Sequence, residues 1–376
     1  MPPARRLPDF PWDALAPYRE RARAHPEGVV DLSVGTPVDP TPTVVREALA
    51  AASDWPGYPT THGTGALREA VVGWLDRVAG VADVDPVTVL PTIGSKELVA
   101  WLPTLVGLGV GEAVMFPEVA YPTYDVGTRL AGAEPVPYGL DAAFGTGGTP
   151  PAVRTSAGSR VRLVWLNSPS NPTGRVWSAP MLARAVAWAR DHDVLLVSDE
   201  CYLEFPYAEP QPVTVLHPDV SGGSHEGLLA VHSLSKRSNL AGYRAGFVAG
   251  DARVVAELLE VRKHAGMIVP GPVQAAATAA YGDDAHVAEQ RERYRSRRAR
   301  LLPALTGAGF DVTDSTAGLY LWATRTEDCW TTVGWLAERG IVVAPGAFYG
   351  AAGSRHVRVA LTATDERVAE AARRLE

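Results

Sequence analysis

After a proline-rich first forty residues, short apolar runs alternate with longer segments of helical spacing. The runs Val87–Pro91, Ala113–Phe116, Val161–Leu166, Val194–Ser198, Leu228–His232 and Ala245–Ala249 carry β-branched residues and end on polar or glycine positions, which predicts strands. The segments Ala66–Ala79, Lys96–Val106, Tyr124–Ala131, Pro180–Asp191 and Arg253–Lys263 read as helices, with Pro180 suited to a first turn behind the cap candidate Ser178. Several runs lack polar alternation, as expected of strands covered on both faces. The pattern predicts an α/β architecture with a mostly parallel central sheet and crossover helices.

Beyond about residue 265 the rhythm changes. A long helix bearing Glu289-Gln-Arg-Glu-Arg-Tyr-Arg-Ser-Arg-Arg-Ala-Arg300 precedes shorter strands at Leu319–Ala323, Ile341–Ala344 and Val357–Ala360. This predicts a smaller α+β domain of residues 1–40 and 265–376 beside a large domain of 41–264, with a short helical stretch near Ala14–Ala24. Glu289 and Glu292 interleave the arginines at helical spacing, the pattern of a solvated helix face. Gly145–Thr149 reads as a loop.

Composition narrows the classes. Apolar residues make up 46% of 376 and charged residues 20%, enough to bury a core. The formal charge of −7 speaks against a nucleic-acid footprint, and no apolar run approaches a membrane span. Two cysteines, Cys201 and Cys329, make no disulfide framework. Arg5 and Arg6 are not followed by an apolar stretch, so no signal peptide is expected, and the location expected is cytoplasmic. No metal is expected.

In an open parallel sheet, ligands sit beyond the carboxyl ends of the strands. Four such ends carry chemistry. Thr92-Ile-Gly94-Ser95-Lys96 opens a helix, where free N–H groups and the dipole suit an anion. Asn167-Ser-Pro-Ser-Asn171-Pro-Thr-Gly174 supplies amides, Asp199-Glu-Cys-Tyr202 a carboxylate and a phenol, and Ser233-Leu-Ser-Lys236 an amine. Singly, each has a plain structural explanation: a helix start, a turn, a cap, an exposed lysine. Gly107-Leu-Gly-Val-Gly111 follows a helix and precedes a strand, the reverse of a dinucleotide fingerprint.

Together, the segment from Ser233 through Lys236 and Arg244 to Gly246, with Asp199-Glu-Cys-Tyr202 and Asn171-Pro-Thr-Gly174 upstream, resembles the class-I/II (fold type I) pyridoxal-phosphate-dependent aminotransferases. The resemblance runs from Gly35 to Arg358. It implies pyridoxal 5'-phosphate held as a Schiff base by Lys236, which then shuttles a proton at the substrate Cα. By the same resemblance Asp199 partners the pyridine nitrogen, and Asn171 and Tyr202 bond the cofactor's phenolic oxygen. Ser233, Arg244 and the backbone at Gly94, Ser95 and Lys96 would take the phosphate, and Tyr121 would stack on the ring. Tyr58 would reach the neighbouring subunit's phosphate, implying a homodimer with shared sites. Arg358 would grip the α-carboxylate, and Gly35 would let the substrate approach. Cys201 reads as an inert thiol.

Within the family, Leu-Ser-Lys236-Arg-Ser-Asn239 and Gly94-Ser-Lys-Glu97 look most like bacterial N-succinyldiaminopimelate aminotransferases of lysine biosynthesis, with α-ketoglutarate as amino acceptor. Arg237, Arg262 and Lys263 are candidates for a second cationic group. The alternatives are another class-I aminotransferase, for aspartate or a similar substrate, and a pyridoxal-phosphate C–S lyase sharing the same residues. Ser233-Leu-Ser-Lys236 also satisfies Ser-x-x-Lys, but neither Lys-Thr-Gly nor Ser-Asp-Asn occurs to complete a serine acyl-enzyme. Forty residues without a helix-turn-helix pattern leave little room for a DNA-binding head.

Overall fold

Seven strands form the central sheet, in the order Val89–Thr92, Gly246–Gly250, Leu228–Ser233, Leu195–Asp199, Arg160–Asn167, Glu112–Pro117, Glu134–Tyr138. The structure, a computed structural model, describes residues 7–8 and 11–376; the expectation resting on Arg5 and Arg6 lies outside them. Six strands run one way, and Gly246–Gly250 is antiparallel to both its neighbours. The mostly parallel α/β sheet is therefore as expected, and the six predicted apolar runs all fall on its strands, with ends shifted by one or two residues.

The strand at Glu134–Tyr138 escaped the pattern because its sequence is Glu-Pro-Val-Pro-Tyr. It lies at the sheet's edge, where prolines two apart lose donors on the same, open side. Helices cover both faces. Gly65–Ala79 is capped by the Thr64 hydroxyl at one end and stopped by left-handed Gly80 at the other. Helix Gly271–Gly282 also went unread: its alanine-rich sequence has little helical contrast, yet Ala276, Ala277 and Ala280 join the core of the large sheet.

A second sheet, Ala344–Pro345, Val357–Ala360, Tyr320–Thr324 and Asp311–Thr313, is antiparallel and forms the smaller sheet domain. The predicted strand Ile341–Ala344 divides: Ile341–Val342 pairs with Val30–Asp31, and Ala344–Pro345 joins the second sheet. Helix Ala16–Arg23 packs on helix Cys329–Glu338. Among the described residues no helix is long and apolar enough to cross a membrane.

The arginines of helix Ala285–Gly307 are mostly solvated as read, with one exception. Arg297 is buried, 2.6 Å from Asp39 and 2.6 Å from Asp365, tying the N-terminal segment to the last helix, Asp365–Leu375. Burial works to raise the Asp39 carboxyl, but hydrogen bonds from Arg297 and Gln290 outweigh it and hold it below the ordinary range. Arg297→Met strands Asp39 in a nearly closed site, and the expected loss is roughly 3–5 kcal/mol, read as a lower denaturant midpoint. The pair's contribution is present above the ordinary aspartate pKa and fades as pH falls below it.

Candidate active site

The carboxyl ends of the parallel strands open into a cavity of about 810 Å³. Its walls include Gly35, Ser95, Lys96, Tyr121, Asn171, Asp199, Tyr202, Ser233, Lys236, Arg244 and Arg358, so eleven of the thirteen residues singled out in the sequence meet there. Gly94 sits directly behind Arg244: its φ of +70° and lack of a side chain let the guanidinium pack on it, and a Cβ would collide with that group. Tyr58 is fully exposed and does not reach the cavity of its own chain. A second cavity of about 720 Å³, around Asp83, Leu216 and Arg253, holds none of these residues.

Asp199 ends its strand 7% exposed. It accepts hydrogen bonds from the Tyr124 hydroxyl at 3.0 Å and the Cys201 N–H at 3.3 Å, both neutral, and among the described residues no lysine or arginine is within ion-pair range of it. Burial pushes its carboxyl above the ordinary value, opposed by the hydrogen bonds from Cys201 and Tyr124. Asn167 on the adjoining strand donates to the Asp199 carbonyl at 2.8 Å and accepts from the Asn171 N–H at 2.7 Å, so one amide fixes two strand ends. The Cys201 thiol donates to Ser95 at 3.3 Å and is pushed up by burial, in keeping with an inert role.

Lys236 lies on the single turn Leu234–Arg237, which is capped by the Ser233 hydroxyl. Its Nζ donates to the Gly35 carbonyl. Burial lowers its pKa, so more of it is the neutral, nucleophilic amine. Tyr320 stands beside it: the Tyr320 and Tyr202 hydroxyls are 3.1 Å apart, and a Cβ on Gly35 would collide with Tyr320. Burial works to raise the Tyr320 phenol, but the charges of Arg358 and Lys236 outweigh it and hold it below its usual value. Arg358, in strand Val357–Ala360, donates to Asn171 Oδ1 at 2.9 Å and the Ser33 carbonyl at 2.8 Å, lies 4.1 Å over the Tyr320 ring, and keeps its Nε unpartnered.

Helix Ser95–Leu105 begins at Gly94, and its first residues, Ser95 and Lys96, line the cavity. Arg244, in a left-handed backbone conformation, donates to the Ala241 and Ile93 carbonyls at 2.9 and 3.4 Å. That conformation costs a non-glycine residue on the order of 1 kcal/mol and places the guanidinium across the helix start. A buried carboxylate awaiting a cation, a buried amine with a depressed pKa, and a cation above a helix N-terminus fit the ring nitrogen, aldehyde and phosphate of pyridoxal phosphate.

Sequence reasoning missed Tyr320, Tyr124, Asn167, Ser235, Trp12 and Arg19, of which all but Tyr124 line the cavity. Asn167 and Ser235 lay inside quoted motifs and Tyr124 opened a predicted helix, whereas Trp12 and Arg19 arrive from the N-terminal segment with no motif of their own. Arg237, Arg262 and Lys263 are elsewhere. Arg237 is buried against Glu204 and Asp284, Arg262 against Glu97, and Lys263 pairs with Glu260 at the surface.

Comparison with known proteins agrees with this geometry. The family model described as aminotransferase class I and II matches residues 27–375. The chain is 59% identical over 371 residues to the 4-dedimethylamino-4-oxo-anhydrotetracycline transaminase OxyQ of Streptomyces rimosus, covering 99% of each. It is 34% identical over 380 residues to the LL-diaminopimelate aminotransferase of Gloeobacter violaceus, covering 99% of this chain and 96% of the relative. Among solved structures, an aminotransferase from Staphylococcus aureus superposes with a TM-score of 0.87 at 27% identity, covering 100% of this chain and 98% of that one.

Proposed function

The chain belongs to the class I and II aminotransferases, enzymes that use pyridoxal phosphate on amino-acid and 2-oxo-acid substrates, and from that premise we propose that it moves the amino group of N-succinyl-L,L-diaminopimelate to α-ketoglutarate, in lysine biosynthesis. The observation that carries the reading is the convergence of Lys236, Asp199 and Arg358 in one cavity roomy enough for a long amino donor. The likeness to an LL-diaminopimelate aminotransferase supports a donor of the diaminopimelate type.

Bound pyridoxal phosphate supplies a ring that draws electrons from the substrate Cα. The chain's residues hold and time that chemistry. Lys236 would hold the cofactor through its aldehyde, and its amine is the group that would carry a proton at the substrate Cα. Asp199 keeps a proton on the ring nitrogen, steadied by Tyr124. Asn171 and Tyr202 would bond the phenolic oxygen, Tyr121 would stack on the ring, and Ser95, Lys96, Ser233 and Arg244 would take the phosphate. Arg358 binds the α-carboxylate as a planar fork, with Gly35 leaving the substrate room.

The same proposal includes a cytoplasmic homodimer: Cys201 and Cys329 are both free, and Tyr58 is fully exposed, as a side chain reaching into a neighbouring subunit's site would be in a lone chain. It also includes the division into a large body of 41–264 and a small one of 1–40 and 265–376, altered at one point: helix Gly271–Gly282 packs on helices Thr43–Ala51 and Gly65–Ala79 and so sides with the large body.

Steady-state rates test the substrate. With α-ketoglutarate present, kcat/KM for N-succinyl-L,L-diaminopimelate should exceed that for aspartate by at least tenfold, the worth of about 1.4 kcal/mol in added contacts. Equal turnover of aspartate would remove the claim. The 59% identity to OxyQ favours a second reading, a polycyclic ketone as amino acceptor, and turnover of 4-dedimethylamino-4-oxo-anhydrotetracycline in the same assay would establish it.

A further inference from the structure

Helix Ala16–Arg23 carries Arg19 to the cavity wall beside Trp12. Arg19 is half-buried, and among the described residues no carboxylate lies within ion-pair distance of it; its one polar contact is a long 3.5 Å hydrogen bond to Ser33 Oγ. The same Ser33 offers its carbonyl to Arg358 at 2.8 Å. Two guanidinium groups therefore flank one residue and face one cavity. Asp31, which accepts from the Ser33 hydroxyl and N–H, keeps that serine oriented without pairing with Arg19. Trp12, packed edge-on against Phe348 at 5.3 Å, lowers the polarity of the wall, and a carboxylate there meets less competition from water.

We propose that Arg19 is a specificity residue that binds the remote carboxylate of a dicarboxylic substrate while Arg358 holds the α-carboxylate. The substrate class is a 2-oxo or amino dicarboxylate, and the inference deepens the function proposed above and rests on it. A monocarboxylate of the same length engages Arg358 alone. The second cationic group comes from the N-terminal helix of the same chain.

Calorimetry on protein whose cofactor has been fixed to it by borohydride reads binding without turnover. Glutarate and valerate, equal in length, differ by one carboxylate. In the unchanged protein glutarate should bind at least tenfold more tightly than valerate, as expected of one added charged hydrogen-bonding pair. Arg19→Gln should erase that preference and leave valerate unchanged, and Arg19→Lys should keep part of it. A glutarate preference that survives in Arg19→Gln, an equal loss for both ligands, or no preference in the unchanged protein would overturn the assignment. Turnover of N-succinyl-L,L-diaminopimelate with α-ketoglutarate, measured alongside, separates the two claims. Turnover with no effect of Arg19→Gln removes Arg19 and spares the function, whereas no turnover with a lost glutarate preference does the reverse.

Discussion

Lys236→Ala protein, supplied with pyridoxal phosphate, should show no visible band that borohydride fixes to the chain, and its transamination rate should fall by at least about 10²–10⁴-fold, the usual worth of a positioned acid–base group. The chain has three lysines, Lys96, Lys236 and Lys263, so the outcome is unusually clean. Lys263 is at the surface beside Glu260. Lys96 lines the cavity but is exposed at the start of its helix, where the dipole opposes a cation. Burial lowers the pKa of Lys236, which favours the neutral, nucleophilic amine. Removing it costs both the cofactor's anchor and the proton carrier at Cα. Small primary amines added to the variant should restore part of the rate, which repair of a folding defect would not do. A borohydride-fixed label on the Lys96 peptide of the unchanged protein would sink the assignment.

Strand ends made most of this site legible. Lys236, Asp199, Asn171 and Ser233 each follow an apolar run whose burial the sequence advertises, so their place beyond the sheet followed from the strands. Arg358 needed the resemblance, because an arginine in a short strand looks like a solvated one until the register sets it opposite Trp322, with Ala344 on its other side. Tyr320 and Arg19 were not legible. Tyr320 sits inside an apolar strand and reads as core; its hydroxyl matters because glycine at 35 brings the backbone close. Arg19 depends on where a proline-bounded segment folds back, and that is set by packing of helix Ala16–Arg23 on helix Cys329–Glu338 rather than by local pattern. The same limit hid helix Gly271–Gly282, whose place is fixed by its partners.

Asp199→Asn should separate stability from activity. In the cofactor-free protein the buried carboxylate is held above its ordinary pKa of 3.8, chiefly by desolvation. A raised acid pKa means that the folded state keeps its proton longer than the unfolded chain does, so stability from this group is highest at low pH and is lost as pH rises from 3.8 through the folded value. Asparagine is never charged and escapes that cost. Its Oδ1 can still accept from the Cys201 N–H, and its amide can donate to Tyr124, whose hydroxyl then acts as acceptor. The cofactor-free variant should therefore melt at a higher temperature than the unchanged protein at pH 7, the two converging as the solution is acidified below pH 3.8. With pyridoxal phosphate the order reverses. The unchanged carboxylate gains the protonated ring nitrogen as its partner, its pKa falls, and the cofactor stabilises the fold by mass action. The variant lacks that charge, so it should hold the cofactor more weakly and lose about 10²–10³-fold in kcat, the range for one preorganised electrostatic group. A cofactor-free variant that melts lower at pH 7 would show that the Asp199 carboxylate is already paired within the chain. The ring nitrogen would then not be the cation it awaits.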